Sequence, residues 1–250
     1  GNYNASLMAN YYEIHSQSTT ASTKLGTVAH TNPSLSLGWR MPVAVTGFGR
    51  MAVIEPKAQV THVGGNDRID DIPNRDAAEY RIDEANLFLP HRYQGKDYIL
   101  PGTRIDAGVG ATANDQYLGN VAAFAGISRR LSGTPSAGLN ANQDDIYSDY
   151  VASLSMSPAG LIDIRWSGRM SSHDFTLNES KTVASSNFGN GYLSLTHNQL
   201  SQAYFASSED DREELSATLG QALGAGWSLK ASQIWDLSYG KTVREKSTAA

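Results

Sequence analysis

Residues 161–170 read Leu161-Ile162-Asp163-Ile164-Arg165-Trp166-Ser167-Gly168-Arg169-Met170, and their order decides the fold. Ile162, Ile164, Trp166 and Met170 fall on one parity, and Asp163, Arg165, Ser167 and Arg169 on the other. A repeat of two puts the apolar set on one side of an extended strand and the polar set on the opposite side; a helix would need a repeat of 3.6. A half-buried strand of a water-soluble β-protein alternates in the same way, so recurrence and length must decide between the two settings.

The alternation recurs. Leu35, Leu37, Trp39 and Met41 alternate with Ser34, Ser36, Gly38 and Arg40, and Ala52, Ile54, Pro56, Ala58 and Val60 alternate with Glu55, Lys57 and Gln59. Ile105, Ala107, Val109 and Ala111 interleave with Arg104, Asp106 and Gly108. Trp227, Leu229, Ala231, Trp235 and Leu237 interleave with Ser228, Lys230, Ser232 and Asp236, with Gln233 and Ile234 breaking the pattern. Several runs exceed the roughly 5 to 6 residues of a soluble strand and reach the roughly 9 to 11 that cross a bilayer at a tilt. The pattern predicts about twelve strands of an antiparallel transmembrane β-barrel, an all-β segment of a larger barrel. They lie near residues 3–14, 34–42, 51–63, 78–88, 103–113, 119–131, 146–157, 161–173, 178–186, 191–200, 212–222 and 227–238.

The connections sort by length. Asn114 to Leu118, Pro158 to Gly160, Asn187 to Asn190 and Leu223 to Gly226 are short and rich in turn-forming Gly, Asn and Pro. Between them lie Ser132 to Asp145, Asp174 to Leu177 and Ser201 to Asp211, two of them long and polar. Outer-membrane barrels have short turns on one rim and long loops on the other; a soluble sandwich has no reason to sort its loops this way. Trp39, Trp166, Trp227, Tyr117, Tyr147, Tyr150 and Tyr239 fall within or near strand ends, where interfacial aromatic girdles sit.

Composition agrees. The 250 residues carry a net charge of -5, no cysteine and 40% hydrophobic residues, which excludes disordered and disulfide-framework classes. A mean hydropathy of -0.37 does not exclude the membrane, because strands that alternate lipid-facing and lumen-facing residues average to mild polarity. No run approaches the roughly 18 apolar residues of a membrane helix. No basic and apolar export signal follows Gly1, and the chain stops without an aromatic closing strand, so it reads as an excised portion of a longer protein.

One segment is out of scale. Gly64 to Gly102 reads GGNDRIDDIPNRDAAEYRIDEANLFLPHRYQGKDYILPG, long enough to be a functional loop. It carries Ile72-Pro73-Asn74-x-Asp76, then Asn86-Leu87-Phe88, then Arg92-x-x-Gly95-x-Asp97, then Gly102-x-Arg104. That ordered series resembles the barrel domain of the LptD family of outer-membrane lipopolysaccharide-assembly proteins. Gly38-Trp39-Arg40-Met41-Pro42, Ile54-Glu55-Pro56 and Asp211-Arg212-Glu213-Glu214-Leu215 are similar to flanking elements of the same family. The chain departs from the family pattern at Arg75, Ala77, Tyr98 and Leu100, where an acidic residue, Ser, Arg and Glu are usual. The resemblance implies that residues 1–250 are a partial barrel domain, with residues 64–102 as a loop that is extracellular or folded into the lumen. The periplasmic jelly-roll domain and the barrel-closing strands would lie elsewhere. It further implies lipopolysaccharide as the transported ligand, an LptE-like lipoprotein plug and a periplasmic bridge as partners, membrane lipids around the wall, and no enzymatic activity. A general porin or substrate channel is the alternative.

Arg40, Lys57, Asp163, Arg165, Arg169 and Lys230 share the polar parity of their strands and are candidate lumen-lining residues. Cations there can hold the phosphates and acidic sugars of lipopolysaccharide. The plainer reading is an aqueous lumen lined with charge, since Glu55, Asp106, Asp163 and Asp236 are interleaved with them. In the long loop, Asp76, Asp83, Arg92, Asp97 and Arg104 either pair to fold the loop over the lumen or stand solvated; both readings stay open. The six histidines are scattered without metal-site spacing, and Ser172-His173-Asp174 is a poor hydrolase candidate, because strand neighbours face opposite ways. No cofactor site and no basic nucleic-acid stripe is present in the pattern, and Gly108-x-Gly110 in mid-strand reads as packing space.

Overall fold

The computed structural model describes residues 2–19, 22–47, 50–64, 82–90, 101–133, 146–201, 211–224 and 226–238, with side chains from Pro33 onward apart from Arg50 and Ala159. The strands are β1 (Asn2–Thr19), β2 (Ser22–Arg40), β3 (Val43–Gly47), β4 (Arg50–Val63), β5 (Gly102–Asp115) and β6 (Gly119–Ser132), then β7 (Tyr150–Met156), β8 (Asp163–Met170), β9 (Leu177–Phe188), β10 (Gly191–Leu200), β11 (Arg212–Gly224) and β12 (Trp227–Asp236). They form one antiparallel sheet in sequence order, with β3 lying on the same side of β4 as β2. β1 and β12 end the pairing order, and the sheet does not close on itself.

β2 and β3 are one line broken by proline. Arg40 pairs with Lys57 and Val43 with Ile54, so the register runs through Met41-Pro42 without a shift. Opposite those two residues stand Glu55-Pro56. Neither Pro42 nor Pro56 has an N–H to give the ladder. One bond spans the gap, from the Met41 amide to the Pro56 carbonyl at 3.2 Å. Only Ser34–Arg40 of β2 pairs with this upper part of β4, so the paired stretch from Met8 to Asn32 extends past the end of β4 at Val63.

Several expectations need correction. The strand expected at 78–88 does not form over its described part, where residues 84–88 are a turn; residues 78–81 lie outside the described residues. β3 was not anticipated, because Pro42 ends the alternation read up to that point. β1 runs on past 3–14 to Thr19, and β2 begins at Ser22, well ahead of 34–42, and stops at Arg40; the added stretches are rich in Ser and Thr and do not alternate strictly. β7 is shorter than 146–157; Tyr147 stands outside it, in an isolated bridge to Arg129, whose guanidinium lies 5.3 Å from the centre of its ring.

Directly paired residues share a face of the sheet, so register defines the two faces. One carries Leu35, Leu37, Val60, Val109, Leu195, Leu219, Trp227 and Leu229, all of them exposed; Leu37 keeps 64% of its surface and Trp227 74%. The other carries Ser34, Ser36, Thr61, Asp106 and Ser128, all buried, with Thr61 and Asp106 fully so. Water-soluble proteins have the opposite distribution. Apolar surface outside and polar surface inside is stable where hydrocarbon bathes the outer face and every backbone group is satisfied within the sheet. Among the described residues no helix is long and apolar enough to cross a membrane.

Candidate functional site

The buried apolar cluster is small, and it joins the long connection to the wall. Ile82, Leu87, Phe124 and Val151 form it, with Phe88 packed alongside. Residues 82–90 reach it through a turn that their own sequence closes. The Asp83 carboxylate accepts from the Asn86 amide at 2.8 Å, and the Asn86 side-chain oxygen accepts from the Asp83 amide at 2.9 Å. The Leu87 amide then donates to the Asp83 carbonyl at 3.0 Å and the Leu89 amide to the Asn86 carbonyl at 3.0 Å. Short polar side chains that satisfy nearby backbone groups favour this kind of turn over a strand. It delivers Leu87 to the polar face of the sheet.

The wall has a seat for it. A β-carbon on Gly126 would lie 2.5 Å from Leu87 Cδ2, and one on Gly108 would lie 2.7 Å from Phe124 Cζ. Both glycines therefore leave room that larger residues would fill, and Gly108 is the packing space expected of it. Phe88 meets Phe124 edge to face, centroids 6.2 Å apart at 75°. Burying Leu87 contributes about 2 to 3 kcal/mol to this docking.

Polar contacts ring the seat. Gln59 Nε2 donates to the Phe88 carbonyl at 2.7 Å, and Ser153 Oγ donates to the Glu84 carboxylate. Arg104 donates through Nη2 to the carbonyls of Leu89 and, at 3.0 Å, Pro90. Asp106 holds Arg104 from below, with Arg104 Nε 3.2 Å from Asp106 Oδ2 and Ser128 Oγ donating to Oδ1 at 2.6 Å. A buried carboxylate is tolerable only with such partners. Gly102, where the chain re-enters the sheet, has φ of +136°, and a β-carbon there would collide with the Ser132 carbonyl. Only glycine fits without strain.

Beside the seated segment the polar face opens into a concavity of about 640 Å³. Glu55 and Lys57 on β4 line one side and Arg165 and Lys181 on β8 and β9 the other, with Glu84 over Ser153 of β7 between them. Lys57 Nζ lies 3.2 Å from Glu55 Oε1 and 5.9 Å from the centre of the Phe124 ring.

Of the loop series, Asn86, Leu87 and Phe88 form the seated turn, and Gly102 and Arg104 open β5 beside it. Pro73, Asn74, Asp76, Arg92, Gly95 and Asp97 lie outside the described residues. Arg40, Lys57, Asp163, Arg165, Arg169 and Lys230 all fall on the polar face by register. Arg40 stands opposite Lys57; Asp163, Arg165 and Arg169 run along β8; Lys230 is remote on β12. Arg169 Nε pairs with Glu179 Oε2 at 3.1 Å, and Asp163 accepts from Ser157 Oγ at 2.6 Å. Ser172 and His173 form a turn with Asp174 where the strand was expected to continue to His173, and the Asp174 carboxylate accepts from the hydroxyl and amide of Thr176 at 2.8 and 3.2 Å. Hydrogen bonds from Ser171 and Thr176 hold that carboxyl below its ordinary range.

Sequence reasoning missed Gln59, Glu84, Ser153 and Lys181. Gln59 had been placed only by parity, and Lys181 stood in a strand, Leu177–Phe188, whose hydroxyl-rich sequence has no strong alternation. The Asp83-x-x-Asn86 spacing was the available signal for the turn.

An inside-out antiparallel sheet with an ordered loop seated on its polar face defines the class: an outer-membrane transmembrane β-barrel wall. The chain belongs to the LptD family, LPS transport system D, which matches residues 2–235. No curated protein matches it. The family serves lipopolysaccharide transport at the outer membrane and is a transport and assembly family, not an enzyme family.

Proposed function

We propose that this chain is wall and loop of the translocon barrel that delivers lipopolysaccharide to the outer leaflet. The observation that carries the reading is the family match across nearly the whole chain, residues 2–235. The geometry supports it in two respects. The polar face is charged and partly open, which suits a saccharide headgroup in water, and the apolar face suits a wall in lipid. The sheet also runs through all of β1 to β12 without closing, as a segment of a wide barrel does. On this reading residues 1–250 are a partial barrel domain. The rest of the protein supplies the periplasmic jelly-roll domain and the closing strands, an LptE-like lipoprotein plugs the lumen, and a periplasmic bridge delivers substrate.

The motif residues act as loop anchors in this scheme. Asn86 closes the turn, Leu87 and Phe88 fill the seat, Arg104 holds the carbonyls of Leu89 and Pro90, and Gly102 permits the re-entry into β5. Pro73, Asn74, Asp76, Arg92, Gly95 and Asp97 belong to the same loop. Arg40, Lys57, Asp163, Arg165, Arg169 and Lys230 line the lumen. Depletion of the full-length protein followed by assay of surface lipopolysaccharide tests the reading. Loss of surface lipopolysaccharide is expected; an unchanged level would leave a porin-like channel as the better account.

A further inference from the structure

Part of the charge on the polar face is neutralised within the wall. Arg104 pairs with Asp106, Arg169 with Glu179 and Lys57 with Glu55. Arg40, Arg165, Lys181 and Lys230 stand outside these pairs among the described residues, and of the four only Arg165 and Lys181 line the concavity. Both are exposed on the polar face, and neither forms an ion pair with any described residue. Arg165 pairs with Val183 and Lys181 with Ser167, so the two cations are diagonal neighbours on adjacent strands. Such neighbours stand roughly 7 to 8 Å apart at the backbone, a separation that two long side chains close around one tetrahedral anion. Guanidinium offers that anion a bidentate fork and ammonium a point charge.

The floor next to them is small and hydroxylated. Thr112 and Ala122 are paired, as are Ala122 and Ser155, and Ser155 faces Arg165. Gly110 and Ser153 continue the floor. No bulky side chain fills this stretch until Phe124 and the Glu84 carboxylate close it on the side of the seated loop. Cations with no ion-pair partner among the described residues, a floor of hydroxyls and an open volume of about 640 Å³ are complementary to a sugar that carries a phosphate.

We propose that Arg165 and Lys181 hold a phosphate of a phosphorylated saccharide headgroup, with the sugar lying on the Thr112, Ser153 and Ser155 floor. Glu84, hydrogen-bonded to Ser153 at the edge of the concavity, is an intramolecular anion that opposes binding there. The inference rests on the lipopolysaccharide reading above and gives that passage a specific station on β8 and β9.

The test uses full-length protein in intact cells, with a photoreactive amino acid at Ser155 in the floor or at Ser194, a polar-face position on β10 outside the concavity. Cross-linked lipopolysaccharide and cross-linked phospholipid are read separately. Lipopolysaccharide is expected at Ser155, its yield falling roughly fivefold in the Arg165→Gln, Lys181→Gln double variant while Arg165→Lys retains most of it and the Ser194 yield stays unchanged. Glu84→Gln is expected to raise the Ser155 yield. Outer-membrane abundance is matched across variants, and Arg165 and Lys181 have no ion-pair partner to lose among the described residues, so assembly is not at stake. An unchanged yield in the double variant overturns the proposal. So does cross-linking of phospholipid alone at Ser155, or of lipopolysaccharide at Ser194 and not at Ser155; in that last case transport stands and the station falls. Absence of lipopolysaccharide from both positions overturns the transport reading itself, and the station with it.

Discussion

Leu87 shows how one side chain ties an irregular segment to a regular wall. It is fully buried, and the wall meets it with Phe124, Val151 and the space over Gly126. Leu87→Ala is therefore expected to weaken docking of residues 82–90 by about 2 to 4 kcal/mol while leaving the strand ladder intact. Hydrogen exchange checks this: amides of Leu87 and Leu89 should lose protection, and those of β5 and β6 should keep it. Asp106 acts one layer deeper, because its carboxylate holds Arg104, and Arg104 holds the loop carbonyls. Asp106→Ala leaves a partly buried guanidinium without its counter-charge, at a cost of about 3 kcal/mol. The temperature at which the folded, fast-migrating form is lost on unheated gels should fall, and Asp106→Asn, which keeps an acceptor for Ser128, should fall less.

At the scale of elements, the two faces of a strand have different tolerances. Leu229→Arg places a charge on the lipid side of β12 and should cost about 2 to 4 kcal/mol if it lies near mid-membrane, while Lys230→Ser on the polar side should cost little. A folding assay into lipid vesicles reads both; equal sensitivity would break the assignment of faces. The β8–β9 turn gives a pH signature. Asp174 is held below its ordinary range by hydrogen bonds from Ser171 and Thr176, so its contribution to the turn is complete above the ordinary carboxylate pKa of 3.8 and is lost as pH falls through the lower folded value. The Thr176 amide should thus stay protected at pH 5 and lose protection only under strong acid, and Asp174→Asn should remove the acid transition.

The strands were legible where apolar and polar residues strictly alternate, as in Leu161 to Met170 and Arg104 to Ala111, because parity alone then specifies a face. They were not legible at Val43–Gly47, since Pro42 and Pro56 interrupt a line that continues in space. From Ile82 onward the sequence imitated the continuation of the strand expected at 78–88. What decided against it was the reciprocal bonding of Asp83 and Asn86, a local competition that a period-two count does not see. The candidate site was half visible. Asn86, Leu87 and Phe88 stood out as a series, but their seat depends on Gly126, Phe124 and Val151, which only the pairing of β6 and β7 brings together.

Over the whole molecule the wall is inside out: apolar side chains toward lipid, polar side chains toward water, with parity fixed strand by strand. The 250 residues contain no cysteine, so a single introduced thiol reports on its own position within this segment. Cysteines placed one at a time at positions 181–185 of β9 and 228–232 of β12 in the membrane-embedded protein, and probed with a water-soluble maleimide, test this most directly. Positions 181, 183 and 185 and positions 228, 230 and 232 should react, and 182, 184, 229 and 231 should be protected until detergent is added. Uniform reactivity along either strand, or protection of the opposite parity, would contradict the account.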